Sequence, residues 1–269
     1  MRHALAIAKK DLTVYLTTPL AWVIVTAVTV ISSLFFLGLL DQFIAFQAAV
    51  HKAPNGWSDL GPEAMGYRNL TDGVVINLWS TLLIVTLFVV PFLSMRLFAE
   101  ERQQRTFQLL MTTPVRPMEI VLGKYLGALG VLGLTLGVTL VYPAMLSVIG
   151  QGESGSAVEW STVMLGFGGT LLFGSTLMAI GMFASSLTES QLISALVTFA
   201  VALGWMLLGS VVRTPQEPLH SIVAYLSFDQ QLQSLMKGVL DLRPIVFFGS
   251  IIALFLLLTH RSLEAQRWG

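Results

Sequence analysis

Runs free of Asp, Glu, Lys, Arg and His alternate along this chain with short charged segments. Six such runs stand out, at 20–40, 73–95, 125–149, 160–188, 190–212 and 244–259. A spanning helix needs roughly 20 apolar residues, and charges in hydrocarbon are costly enough to be rare. The first five runs meet that length. The sixth is short, and is completed by Arg243 and Arg261 snorkelling from its ends or by local thinning of the bilayer. Ahead of the first run, Leu5, Ala8, Leu12, Tyr15 and Leu16 form a helical apolar stripe, with Lys9, Lys10, Thr13 and Thr17 on the other side. This predicts a surface helix over 1–19, lying along the membrane before the chain turns in. The leader is long and the first run lacks a small-residue cleavage site, so it reads as a retained anchor and not a signal peptide. The predicted fold is an all-α integral membrane domain over 1–269 with six transmembrane helices.

Between the runs the segments differ in kind. The stretch 41–72 holds Pro54, Asn55, Gly56 and Pro62 and reads as a loop, with Trp57 and Tyr67 at headgroup level. Residues 150–159 form a short Gly/Ser turn. In 213–243, Leu232, Leu235, Met236, Val239 and Leu240 repeat at i, i+3, i+4, i+7 and i+8 after Pro215 and Pro218. This predicts helices over 215–241 that are either interfacial or re-entrant, the second requiring protein to cover their backbone ends. Tyr142-Pro143 predicts a kink in the third span. Glycines at 123, 127, 130, 133 and 137 in span three, and at 166, 168, 169, 174 and 181 in span four, offer close-packing faces within one subunit.

Charge adds orientation. Arg2, Lys9, Lys10, Arg96, Arg102, Arg105, Arg116, Lys124, Arg261 and Arg267 fall on the side holding both ends. Lys52, Arg68, Arg213, Lys237 and Arg243 fall on the other. Ten against five places both termini in the cytoplasm. Composition agrees, with 55% hydrophobic and 11% charged residues where soluble domains carry about 25% charged. Net charge is zero, so nothing suggests a nucleic-acid partner. No cysteine is present, which removes disulfide, thiolate-zinc and thiol-nucleophile chemistry.

Catalytic motifs are equally sparse. The chain has no G-x-x-x-x-G-K-[ST] phosphate loop and no H-E-x-x-H pair, and His3, His51, His220 and His260 stand at ends or in loops. It is therefore expected to be neither an enzyme nor a cofactor- or metal-binding protein in its own right. With no ionisable residue expected at mid-membrane, a proton- or sodium-coupled carrier is disfavoured.

The charged segment 96–124 is the most informative. Phe107, Leu110 and Met111 make an i, i+3, i+4 apolar patch before Pro114. On periodicity this fits two readings equally: a helix receiving force from a cytoplasmic partner, or a basic loop resting on lipid. A resemblance separates them. Glu100-Glu101, Thr106-Phe107, Leu109-Leu110, Pro114 and Gly123-Lys124 resemble, in order, the signature of ABC-2 type permeases. That pattern has Gly where Arg105 stands and Glu where Gln108 stands. The wording at 95–101, 120–126, 180–191 and 256–264 is similar to the gliding-motility, GldF-like branch.

This resemblance implies the membrane subunit of an ATP-driven exporter. A coupling helix, 104–111, would dock on a separate cytoplasmic ABC ATPase, present in two copies and carrying ATP and Mg. The docking residues it implies are Glu100, Glu101, Thr106, Phe107, Gln108, Leu110, Met111 and Pro114. It also implies a second permease copy or paralogue and an auxiliary membrane subunit with a periplasmic domain. The alternative it leaves is an ATPase-coupled platform for a motility or pilus-type machine that moves no solute.

Overall fold

A computed structural model describes residues 2–54, 67, 69–105, 116–149, 158–211 and 225–268. Among these the chain is helical with no strand, and six helices are long and apolar enough to cross a membrane. The leading helix Arg2–Thr17 precedes span one, Pro19–Lys52. Span two is a π-helical turn, Thr71–Val75, continued by Ile76–Ser94, and a short helix, Ala99–Gln103, follows it. Span three runs Pro117–Gly137 and Val141–Ile149, span four Trp160–Leu187 and span five Gln191–Val211. A short helix, Phe228–Met236, precedes span six, Leu242–Trp268.

Several helices outrun the uncharged stretches. Span one continues through Asp41 to Lys52, so the first twelve residues of the expected loop are helical. No Gly or Pro interrupts 41–53, and a charge excludes a residue from lipid without excluding it from a helix. The extension is held at Tyr67, which stacks on Phe46 with ring centroids 4.3 Å apart and accepts a hydrogen bond from Gln47 Nε2 through its carbonyl. Trp57 lies outside the described residues. Span six likewise runs on past Thr259, so its helix has full membrane length without special accommodation. Span three starts at Pro117, a residue suited to the first helical position, and so takes Glu119 and Lys124 into the helix. Its expected kink is a 3₁₀ turn at Val138–Leu140. Pro143 has no N–H to give Thr139, four residues back, which loosens the helix there. Beside the kink, Tyr142 donates its hydroxyl to the Thr29 carbonyl at 2.9 Å and stacks on Phe36, tying span three to span one.

Span four is the most enclosed of the six, and spans one and five are the least. Its glycines explain this position. Gly174 meets Leu132 of span three and Thr86 of span two, while Gly181 lies hard against Ser94 of span two and near Thr198 of span five. Without side chains at these points the neighbouring helices come close, which replaces the hydrophobic drive that lipid does not supply.

The leading helix also uses glycines. Ala4 and Ile7 lie against Gly123, Ala8 and Asp11 against Gly127, and Leu12 against Gly130. Residue numbers rise together, so the helix runs parallel to the first turns of span three. Its packed face is Ala4, Ile7, Ala8, Asp11, Leu12 and Tyr15, and Leu5, predicted on that face, is 65% exposed.

The segment before span six is re-entrant in its described part. Phe228 stacks on Phe173, midway along span four, at 4.6 Å. Leu235 and Met236 then sit over Gly169, and Gly238 turns against Thr162 with φ +77°, a conformation glycine adopts freely. Phe173 and Thr162 are about 16 Å apart along a helix rising 1.5 Å per residue, so Phe228–Met236 climbs out from mid-depth. Leu232, Leu235 and Met236 are buried as the amphipathic pattern predicts, but the helix ends there and Val239 and Leu240 are exposed.

The close contact at Gly181 gives a direct test. Gly181→Val has no room and is expected to lower stability by about 1–3 kcal/mol through overpacking. Gly168→Ala, with nothing within 4 Å, is expected to be neutral. Thermal unfolding of the two variants in detergent, followed by size exclusion, checks both outcomes.

Candidate functional site

The chain breaks its helix where span two leaves the bundle. Span two ends at Ser94 and the next helix begins at Ala99, so backbone groups around Met95–Ala99 need partners from elsewhere. Ser185, near the end of span four, supplies them. Its hydroxyl oxygen accepts from the backbone N–H of Phe98 at 3.0 Å and of Ala99 at 2.9 Å, and its own O–H donates to the Met95 carbonyl at 3.1 Å. Ser185, Phe98 and Ala99 are fully buried, and Leu97 nearly so. One side chain thereby pins the root of the charged segment to span four.

A buried ion pair fixes the same root from the other side. Lys124 is only 6% exposed; its Nζ lies 2.7 Å from Glu101 Oε1, 3.7 Å from Asp11 Oδ2 and 5.4 Å from the centre of the Phe98 ring. Asp11 comes from the leading helix, Glu101 from the short helix and Lys124 from span three. Lys124 is the buried member, so losing it would leave two partly buried carboxylates without their cation, while losing either carboxylate leaves Lys124 with the other. Tyr15 of the leading helix donates its hydroxyl to the Leu93 carbonyl at 3.0 Å. Burial, reinforced by the Asp11 carboxylate, holds this phenol well above its ordinary range, so it keeps its proton at physiological pH.

The far side of the short helix meets the remaining elements. Gln191 Nε2, opening span five, donates to Gln103 Oε1 at 3.2 Å. Arg102 hydrogen-bonds Gln266 of the last helix, whose amide also reaches the Ser186 carbonyl at 3.4 Å. The leading helix, the ends of spans two and four, the starts of spans three and five, and the last helix therefore converge on residues 95–105. Both ends of the described chain lie at this same end of the bundle.

Of the residues singled out by sequence, Glu100 and Glu101 stand in the first turn of Ala99–Gln103, where acids suit the helix N-terminus. Thr106, Phe107, Gln108, Leu110, Met111 and Pro114 lie outside the described residues. A helix starting at Gln104 is corrected: Gln104 caps the short helix and Arg105 follows in the left-handed conformation, φ 59°. A left-handed residue after a helix end is the usual place for glycine, which gives a physical reason for the glycine in the resembled pattern. Sequence reasoning missed Ser185 and Asp11. Lys124 was noted only as half of a Gly-Lys motif, and no local signal distinguishes Ser185 from the other hydroxyls of span four.

The sequence model of ABC-2 family transporter proteins matches residues 5–263, nearly the whole chain. The chain belongs to the ABC-2 transporter family. No curated protein matches it at a significant level. ABC-2 membership makes this a multi-pass membrane protein of the permease type, a class typically without catalysis of its own, and implies pairing with an ABC ATPase. The described part of the stretch joining spans two and three is thus held by the leading helix and by spans three, four, five and six.

Two substitutions probe the root. Ser185→Ala leaves two buried N–H groups without their acceptor, each costing about 1–3 kcal/mol. A marked fall in the detergent melting temperature is expected, partly restored by Ser185→Thr. Arg105→Gly relieves the left-handed backbone and is expected to raise stability by about 1 kcal/mol, measured in the same assay.

Proposed function

We propose that this chain is the membrane-spanning permease subunit of an ATP-driven ABC-2 exporter, coupling hydrolysis on a separate ATPase to transport. The observation that carries this reading is the wiring of residues 95–105 into nearly every element of the bundle. A load applied just beyond Arg105 reaches span four through Ser185, and span three and the leading helix through Lys124. That is the construction a force-receiving lever needs; a loop merely resting on lipid does not.

The end bearing this segment and both termini faces the cytoplasm, as the excess of Lys and Arg there requires. Residues Glu100 and Glu101, with Thr106, Phe107, Gln108, Leu110, Met111 and Pro114 beyond them, form the docking element for the ATPase. The chain carries no phosphate loop, so ATP and Mg belong to that partner. Two ATPases closing on ATP would tilt two permease copies, or a copy and a paralogue, against each other. An auxiliary subunit with a periplasmic domain would meet the far-end loops, as resemblance to the GldF-like branch suggests. That branch also supplies the second reading, a motility platform that moves no solute. The open polar cleft described below favours transport over a sealed seam.

Co-purification with the products of neighbouring genes tests the coupling. Phe107→Glu combined with Leu110→Glu is expected to release the ATPase, or to lower hydrolysis by the complex at least tenfold, while the permease itself stays monodisperse. Full ATPase activity and retention in the double variant would overturn the docking assignment.

A further inference from the structure

The six uncharged spans suggested a membrane interior without ionisable groups, yet the re-entrant helix carries one to mid-depth. Asp229 follows Phe228, the residue stacked on the middle of span four, and it is exposed. Gln230 and Gln233 are exposed on the same helix. Asp229 borders a half-open cleft of about 210 Å³ between this helix and span two. The deep end of the cleft reaches Leu83, midway along span two and about 18 Å from its Thr71 end at 1.5 Å per residue. Among the described residues the Asp229 carboxylate has no hydrogen-bond or ion-pair partner.

Lipid cannot occupy such a face, because an exposed carboxylate and amides in hydrocarbon are costly. The lining shows what can. The Asp229 carboxylate, the Gln233 amide oxygen and the Ser80 hydroxyl oxygen are acceptors, and Ser80 already spends its proton on the Ile76 carbonyl at 3.0 Å. Leu83 and Met236 give apolar wall beside them. The one cationic residue of the lining, Lys237, lies eight residues further along, about 12 Å nearer the far end. Position in the first helical turn accounts for an acid at 229; it does not account for its opening onto a cleft lined by further acceptors. At this size, below the roughly 300 Å³ of drug-sized sites, the cleft suits a small group and not a whole amphiphile.

We infer that the cleft binds the amine group of an amphiphilic organic cation, with Asp229 as its counter-ion and the apolar part left outside. This deepens the permease reading by naming a class of cargo, and rests on it. Binding requires no ATP, however, so its failure and a failure of ATPase coupling are separately visible.

The chain has no cysteine, so Gln233→Cys introduces a single thiol while keeping Asp229. In the assembled complex in nanodiscs, a membrane-impermeant methanethiosulfonate is expected to label this thiol. Phenethylammonium, a primary ammonium, is expected to slow that labelling at least fivefold. Radiolabelled phenethylamine should bind saturably, and Asp229→Asn should weaken it at least tenfold. Competition by phosphatidylethanolamine, against phosphatidylglycerol as control, assigns the amine to a lipid headgroup; its absence assigns a soluble cation. Both uphold the site. Labelling by a membrane-soluble maleimide alone, spontaneous disulfides between two Gln233→Cys chains, or unchanged binding in Asp229→Asn would overturn it.

Discussion

A helix that stops inside a membrane protein exposes backbone donors and acceptors that lipid cannot satisfy, so every such break must be answered by another part of the chain. Breaks of this kind occur at Met95–Ala99 and at the deep start of the re-entrant helix. Other spans contribute at both. Ser185 serves the first with three hydrogen bonds. At the second, Trp205 Nε1 of span five donates to the Leu226 carbonyl at 2.7 Å, and Phe228 stacks on Phe173. Span four takes part in both, which is why it must be central, and its glycines are what allow neighbours to close in around it.

The two breaks have different mechanical characters. The first is locked by a buried hydroxyl, a buried ion pair and a fully buried Phe98, so it suits rigid transmission. The second lies against span four through side-chain packing, with a polar face left open beside span two. A pivot of span four about the Ser185 joint would change the width of the cleft at the second. In this way one central helix links the segment that would receive force to the cleft that would hold cargo.

Charge is used sparingly, and two of its instances are supported by neighbouring groups. Lys124 is covered by the leading helix and paired with two carboxylates. Glu264 in the last helix lies near His260 and Arg261, which are one and two residues past the end of the uncharged run. Asp229 has no such cover, and that contrast gives it functional interest.

The spacing of uncharged runs and glycines determined the six-span architecture, because lipid excludes unpaired charge and helices in lipid need small residues to approach each other. The helix ends were less legible. Span one passes Asp41 and span six passes His260, since charge marks the edge of hydrocarbon and not the end of a helix. The face of the leading helix was misjudged at Leu5 because the partner is a row of glycines and not a flat lipid surface. Within the candidate site, Glu100, Glu101 and Lys124 stood out by pattern, whereas Ser185 and Asp11 did not; their roles depend on groups 86 and 113 positions away in the chain. Only the tertiary structure decided that residues 225–238 enter the membrane, because amphipathic spacing is the same for a helix lying on a bilayer and one buried against span four. That decision placed Asp229 at mid-depth and ended the picture of an uncharged interior.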